Sequence, residues 1–170
     1  MSFLEYFPLL NDAGEVIGKA TRKECHSGTF WLHPVVHLHV FNSKGELYLQ
    51  KRAINKDIQP GKWDTSVGGH VDYGEELPEA LKREVSEELG ITTFEPNFIK
   101  SYKFVSNQEA EYVNCFFAIY DGIIHPDPLE ISEGRFWTKN EIEAALGTEI
   151  FTPNFEQEFL NVILNIDLLQ

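Results

Sequence analysis

A mixed α/β (α+β) fold, one β-sheet sandwiched between helices and preceded by an N-terminal β-hairpin, is the architecture this chain predicts. Three observations lead there. Strand patterns come first, a helical pattern sits in the middle and helical patterns close the chain, the order expected of a mixed sheet with helices packed on its faces. Aromatic residues make up 13% of the sequence, mostly phenylalanine, which favours a sheet-rich core over disorder. Across 170 residues, 42% of them hydrophobic, there is no repeat, low-complexity tract or linker-like stretch, so residues 1–170 read as a single domain.

The elements follow in order. "YFPLL" and "EVIGKA" are apolar runs split by "NDAG", an Asn/Asp/Gly turn, and predict a hairpin. "HPVVHLHVF" and "ELYLQKRA" flank "NSKG" and read as a second hairpin. In the first of these strands, alternation puts His33, Val35, His37, His39 and Phe41 on one sheet face and Val36, Leu38 and Val40 on the other. "WDTSVGGHV" reads as a short strand running into glycines. A helix is expected from about Pro78, favoured at a first helical position, to Gly90, favoured just past a C-terminus. "FIKSYKFVS" and "EYVNCFFAIYDG" read as strands joined by "NQEA", and "EGRFW" as another strand. Thr138 is placed to cap a short helix, "KNEIEAAL". Thr152 and Pro153 open a final helix carrying Phe155, Phe159, Val162, Ile163 and Ile166 at helical spacing.

Charge and composition narrow the function. A net charge of −13 argues against a nucleic-acid polymer as partner, since such a binder needs a basic surface. No apolar run reaches the roughly 18–20 residues of a membrane span. The opening stretch lacks the basic region and long apolar run of a secretory signal, and two cysteines, Cys25 and Cys115, make no disulfide framework. A cytoplasmic protein with no membrane partner is the expectation.

The middle helix carries an anomaly. Glu84, Glu87 and Glu88 crowd one face of its last turns, where like charges at three- and four-residue spacing repel. The helix end is itself partly negative, which disfavours them further. A divalent cation resolves both conflicts, and Mg²⁺, a hard ion that takes oxygen ligands and bridges to phosphates, suits three carboxylates. Ala80, Leu81, Val85 and Leu89 form the complementary apolar stripe, and Arg83 is positioned to pair with Glu75 and brace the preceding loop. Just upstream, Lys51, Arg52, Lys56 and Lys62 make a basic cluster suited to the phosphates a metal leaves exposed.

The whole stretch 69–91, "GHVDYGEELPEALKREVSEELGI", resembles the Nudix box, with every fixed position of the 23-residue pattern matched: Gly69, Glu75, Arg83, Glu84, Val85, Glu87, Glu88, Gly90 and Ile91. The resemblance implies the Nudix fold and hydrolysis of a diphosphate linked to another moiety, such as a nucleoside diphosphate-X. It implies Mg²⁺, with Mn²⁺ as the alternative, on Glu84, Glu87, Glu88 and the Gly69 carbonyl. Glu75 and Arg83 support that set. The family places its general base variably, so Glu84 itself, Glu111, Glu130 and Glu133 are candidates; the last two lie in "EISEGRFW", which resembles a family segment after the box. A homodimer is implied by family analogy alone.

From about Asn11 to Gly90 the chain is also similar to a narrower branch, the type 1 isopentenyl diphosphate isomerases and their hydrolase-like relatives. That likeness implies a second, histidine-rich metal site at His26, His33, His70 and Glu111. The isomerase reaction needs a cysteine and a glutamate, and Gly68 and Val113 are read at their positions; Asn154 replaces an active-site tryptophan. Cys115, in "VNCFFA", reads as a buried structural thiol. An isomerase-like frame with an intact box points to a hydrolase, with isomerisation and a non-catalytic nucleotide-binding module as the rival functions. Trp31, Trp63, Tyr73 and Phe104 are candidates to stack on a base, and the sequence leaves the group attached to the diphosphate open.

Overall fold

A computed structural model describes residues 4–168. The N-terminal hairpin forms as expected, β1 (Tyr6–Leu10) antiparallel to β2 (Val16–Thr21), with Asn11 folding the turn by accepting from the Ala13 and Glu15 amides at 3.0 Å. A one-turn helix that sequence reading did not assign, α1 (Arg22–Cys25), follows, capped reciprocally by Thr21 and Glu24.

The main sheet has seven strands: β3 (Leu32–Phe41), β4 (Leu47–Arg52), β5 (Trp63–Asp64), β6 (Val67–His70), β7 (Asn97–Val105), β8 (Ala110–Ile119) and β9 (Ile131–Trp137). Their order is β5-β4-β3-β8-β7, with β6 added to β3 and β9 to β4. β3 and β8 run parallel over their whole length and the other pairings are antiparallel, so the sheet is mixed.

The second hairpin is only a turn. β3 and β4 share the single pair Phe41–Leu47 and then diverge. Ser66 fills the gap: its hydroxyl accepts from the Val40 amide at 2.9 Å and donates to the Tyr48 carbonyl, standing in for the missing ladder. That wedge also splits the expected strand at 63–71 into β5 and β6, and it opens the sheet where the functional residues gather.

The alternation read in β3 is the one observed. Val36, Leu38 and Val40 pack with Ala80, Leu81, Val85 and Leu89 of α2 (Leu77–Leu89) on one face. Phe41, Leu47 and Leu49 meet Ile142, Phe155 and Phe159 of α3 (Lys139–Ala145) and α4 (Pro153–Asn161) on the other. Burial of each such side chain contributes about 1.5–3 kcal/mol, so all three helices are anchored by packing. Thr138 and Thr152 cap α3 and α4 through their hydroxyls, as expected. The last helix is shorter than its pattern suggested: the backbone leaves the helical region at Val162, and Ile163 reaches the core from a 3₁₀ turn, Ile163–Asn165. Among the described residues no helix is long and apolar enough to cross a membrane.

Candidate active site

A cavity of about 560 Å³ opens where β6, α2, β3 and β8 meet, and Glu84, Glu87 and Glu88 all face it. The α2 axis is fixed at its start by Pro78 and at its end by Gly90 in the left-handed conformation at φ 65°. Gly69 is a glycine for a packing reason: a Cβ there would lie 2.1 Å from the Glu84 carboxyl carbon. β6 therefore runs directly over the carboxylate. The Gly69→Ala protein is expected to fold normally, because only a flexible side chain must give way, yet to lose on the order of 10²-fold in kcat through displacement of Glu84. Turnover alongside a thermal melt checks this.

Arg83 is the brace that the sequence suggested, and it reaches further. It grips Glu75 with Nε and Nη2 at 2.9 and 3.0 Å, donates to the His70 carbonyl at 3.0 Å, and meets Glu84 at 2.7 Å. The loop, β6 and α2 are thus joined at one guanidinium, whose pKa rises chiefly through its bonds to Glu75. Glu88 accepts from the Gly68 amide at 3.1 Å. Burial, reinforced by Glu84, pushes the Glu88 carboxyl up to about 8. Burial also raises Glu84, against the pull of Arg83. These are the pKa changes of carboxylates packed close together and drawn out of water.

The basic cluster is only partly in place. Arg52 and Lys56 line the cavity, but Lys51 and Lys62 do not. Strand alternation explains Lys51: Gln50 and Arg52 point inward from β4, and Lys51 between them faces away, opposite Glu133 of β9. Glu133 is likewise off the cavity, leaving Glu111 and Glu130 as the base candidates outside the box that reach it. Glu130 is ion-paired with Lys56. Glu111 is 8% exposed, and burial with its neighbour Glu109 pushes its carboxyl up to about 7.

His26, His33 and His70 converge, with one nitrogen of each ring and a carboxylate oxygen within 4.8 Å of one another, but that carboxylate is Glu109, not Glu111. The His33 Nδ1 donates to the Trp31 carbonyl at 2.9 Å, which turns Nε2 inward, where it has no hydrogen-bond partner. An Nδ1 pinned to a carbonyl with a buried, unpartnered Nε2 is the arrangement of a metal-ligating imidazole. Glu109 Oε2, 2.8 Å from His26 Nε2 and 3.6 Å from His33 Nε2, fits the same group. Burial, with His33 alongside, holds His70 well below the usual histidine range, leaving its lone pair available. Phe7 of β1 stacks on His70 at 4.4 Å between centroids, so the hairpin roofs this set. Glu109 was missed although it lies only two residues before Glu111, just ahead of β8.

None of Trp31, Trp63, Tyr73 and Phe104 lines the cavity. Trp63 is core against Trp137, Phe104 packs beside Val35 and Val113, and Tyr73 lies under Lys19. The two glycines departing from or matching the family pattern differ as well, since Gly68 has no close neighbour comparable to that of Gly69. Cys115 is fully buried, as expected, and donates to Glu158 at 2.8 Å.

Comparison with known proteins agrees with this geometry. A family model described as the NUDIX domain matches residues 31–158. The chain is 34% identical over 166 residues to an uncharacterized Nudix hydrolase of Listeria monocytogenes, covering 96% of this chain and 95% of that one. It is 30% identical over 149 residues to the isopentenyl-diphosphate Delta-isomerase of Brevibacterium linens, covering 84% and 82%. A Deinococcus radiodurans protein of known crystal structure superposes with a TM-score of 0.79 at 26% identity, over 90% of this chain and 96% of that one.

Proposed function

The chain belongs to the Nudix family and is a Nudix-type hydrolase, and from that premise we propose that it cleaves the diphosphate linkage of a small organic diphosphate by metal-activated water. The observation that carries this reading is the set Glu84, Glu87 and Glu88 on one face of α2, turned into a cavity that Arg52 and Lys56 also line. Mg²⁺, or Mn²⁺ in its place, would be held by these carboxylates with help from the Gly69 carbonyl, and when bound it neutralises the diphosphate and lowers the pKa of the attacking water.

The protein's own contribution is positional. Arg83 holds Glu84 and Glu75 in fixed relation, so the ligand set is preorganised. Arg52 and Lys56 bind the phosphate oxygens that face away from α2. Glu111, its carboxyl raised to about 7, is suited to take a proton from water near neutral pH, and Glu130 is the alternative base. His26, His33, His70 and Glu109 would hold a second cation, a softer one than Mg²⁺ given three imidazoles.

Assay of a panel containing a nucleoside diphosphate sugar, a dinucleotide, an isoprenoid diphosphate and a thiamine derivative, with Mg²⁺ and with Mn²⁺, tests the reading. Metal-dependent release from at least one compound is expected, and cleavage of none overturns it. For the second site, equilibrium dialysis against Zn²⁺ or Mn²⁺ is expected to give one equivalent that His26→Ala removes while Mg²⁺-dependent protection from thermal unfolding persists. Identical uptake by the two proteins would remove the histidine site.

A further inference from the structure

One stretch of the cavity wall belongs neither to the carboxylates of α2 nor to the histidine set: His37, Gly68 and Asn154. His37 projects from the middle of β3 and donates through Nδ1 to Glu158 Oε2 at 2.7 Å. Glu158, on α4 and 1% exposed, accepts three more donors: His39 Nε2 at 2.6 Å, Tyr102 Oη at 2.5 Å and Cys115 Sγ at 2.8 Å. Four donors on two carboxylate oxygens satisfy the group and lock the His37 ring in one orientation. Its other nitrogen, Nε2, is thereby left for the cavity, 3.5 Å from where a Cβ on Gly68 would sit. Burial opposes a charge on this ring, but Glu158 outweighs it and holds the His37 pKa well above the usual histidine range, so Nε2 carries a proton.

Gly68 is what uncovers that proton. Neither packing nor backbone demands a glycine here: an added Cβ would make only ordinary contact, at 3.4 Å, with the His37 ring itself. Its absence leaves a recess beside the Gly68 amide that binds Glu88, next to the metal helix. The rest of the wall is polar. Val35 and Ile58 are the only apolar side chains lining the cavity among the described residues, and no Phe, Tyr or Trp does. A hydrocarbon chain finds little apolar surface, and a nucleobase no aromatic side chain of the wall to stack on. The recess does offer a fixed donor at His37, an acceptor at Glu111 and an amide that is both at Asn154. Hydroxyl groups, each a donor and an acceptor, match such a mixed set.

We propose that His37, Asn154 and Glu111 around Gly68 form a recognition subsite for a polyhydroxyl, sugar-like moiety joined to the diphosphate, with His37 as the anchoring donor. The subsite rests on the proposed diphosphate cleavage and adds the class of group that the diphosphate carries. UDP-glucose and geranyl diphosphate share the diphosphate and differ in what is attached. In titration calorimetry with Ca²⁺, the protein is expected to bind UDP-glucose at least tenfold more tightly than geranyl diphosphate. His37→Phe is expected to erase that gap. Because this variant also takes a donor from Glu158, Gly68→Val supplies a second arm: it covers the ring from the cavity side and leaves the Glu158 network intact. It should weaken UDP-glucose and spare geranyl diphosphate. Equal binding of both compounds by the unmodified protein, or a gap that survives Gly68→Val, overturns the subsite. Discrimination in binding without Mg²⁺-dependent cleavage of UDP-glucose would keep the subsite and remove the hydrolytic reading, and cleavage without discrimination would do the reverse.

Discussion

Glu88→Gln is expected to reduce Mg²⁺-dependent turnover by about 10³-fold or more, the scale of losing several kcal/mol of transition-state charge stabilisation. The same substitution is expected to make the metal-free protein more stable. Glu88 is half-buried next to Glu84, and desolvation pushes its carboxyl from 4.5 up to about 8. The sign follows from linkage: a carboxyl raised in the folded state fits the fold when neutral, so its contribution is intact below pH 4.5 and lost as pH rises towards 8. The amide is neutral throughout and can still accept from the Gly68 amide. The gain should therefore be absent near pH 4 and largest at pH 8 and above, about 1 kcal/mol or roughly 2–4 °C in Tm for a chain of this size. Scanning fluorimetry at pH 5 and pH 8, with and without Mg²⁺, reads both halves. Mg²⁺ should raise the Tm of the unmodified protein and leave that of the variant nearly still. A variant that keeps turnover within tenfold would show that Glu88 holds no essential metal.

What could be read in advance was whatever short-range chemistry imposes. The stripe of Ala80, Leu81, Val85 and Leu89 and the crowding of Glu84, Glu87 and Glu88 are two sides of one helix, and both follow from a 3.6-residue period. Arg83 on Glu75 followed from charge and spacing. The misreadings are of pairings between distant segments. "NSKG" makes a good turn, but β4 prefers β9 and β5 to β3, and nothing local in the turn reports that choice. Lys51, expected at the site as part of a basic cluster, and Glu133, expected there from a family-like segment, pair with each other across β4 and β9 and face away from the cavity, since one step along a strand reverses the face. His37 was legible as one of an alternating set but not as part of the cavity. Its role depends on Glu158, 121 residues away on another helix. Glu109 stands just ahead of β8, and only the parallel pairing of β8 with β3 brings it to His33.

That long-range pair carries the second large expectation. Glu158→Leu keeps the approximate volume but strands four donors, His37, His39, Tyr102 and Cys115, around a side chain that is 1% exposed. Breaking a buried charged network from one side costs about 3–5 kcal/mol. For a chain of this size that is roughly 6–20 °C in Tm. Urea unfolding followed by tryptophan fluorescence would read the loss. Its pH dependence identifies the source. Burial alone would raise Glu158, yet His37 outweighs it and holds the carboxyl well below 4.5, so the stabilisation is present above 4.5 and lost as pH falls through the folded value. The His37 ring is shifted the other way, so its share is full below 6.5 and lost as pH rises through its folded pKa. The difference between the two proteins should therefore form a plateau between about pH 4.5 and 6.5 and decline on either side. If instead the cost is independent of pH, the Glu158 site is held by shape rather than by charge. His37 would then lack the ionic anchor that fixes its ring at the cavity wall.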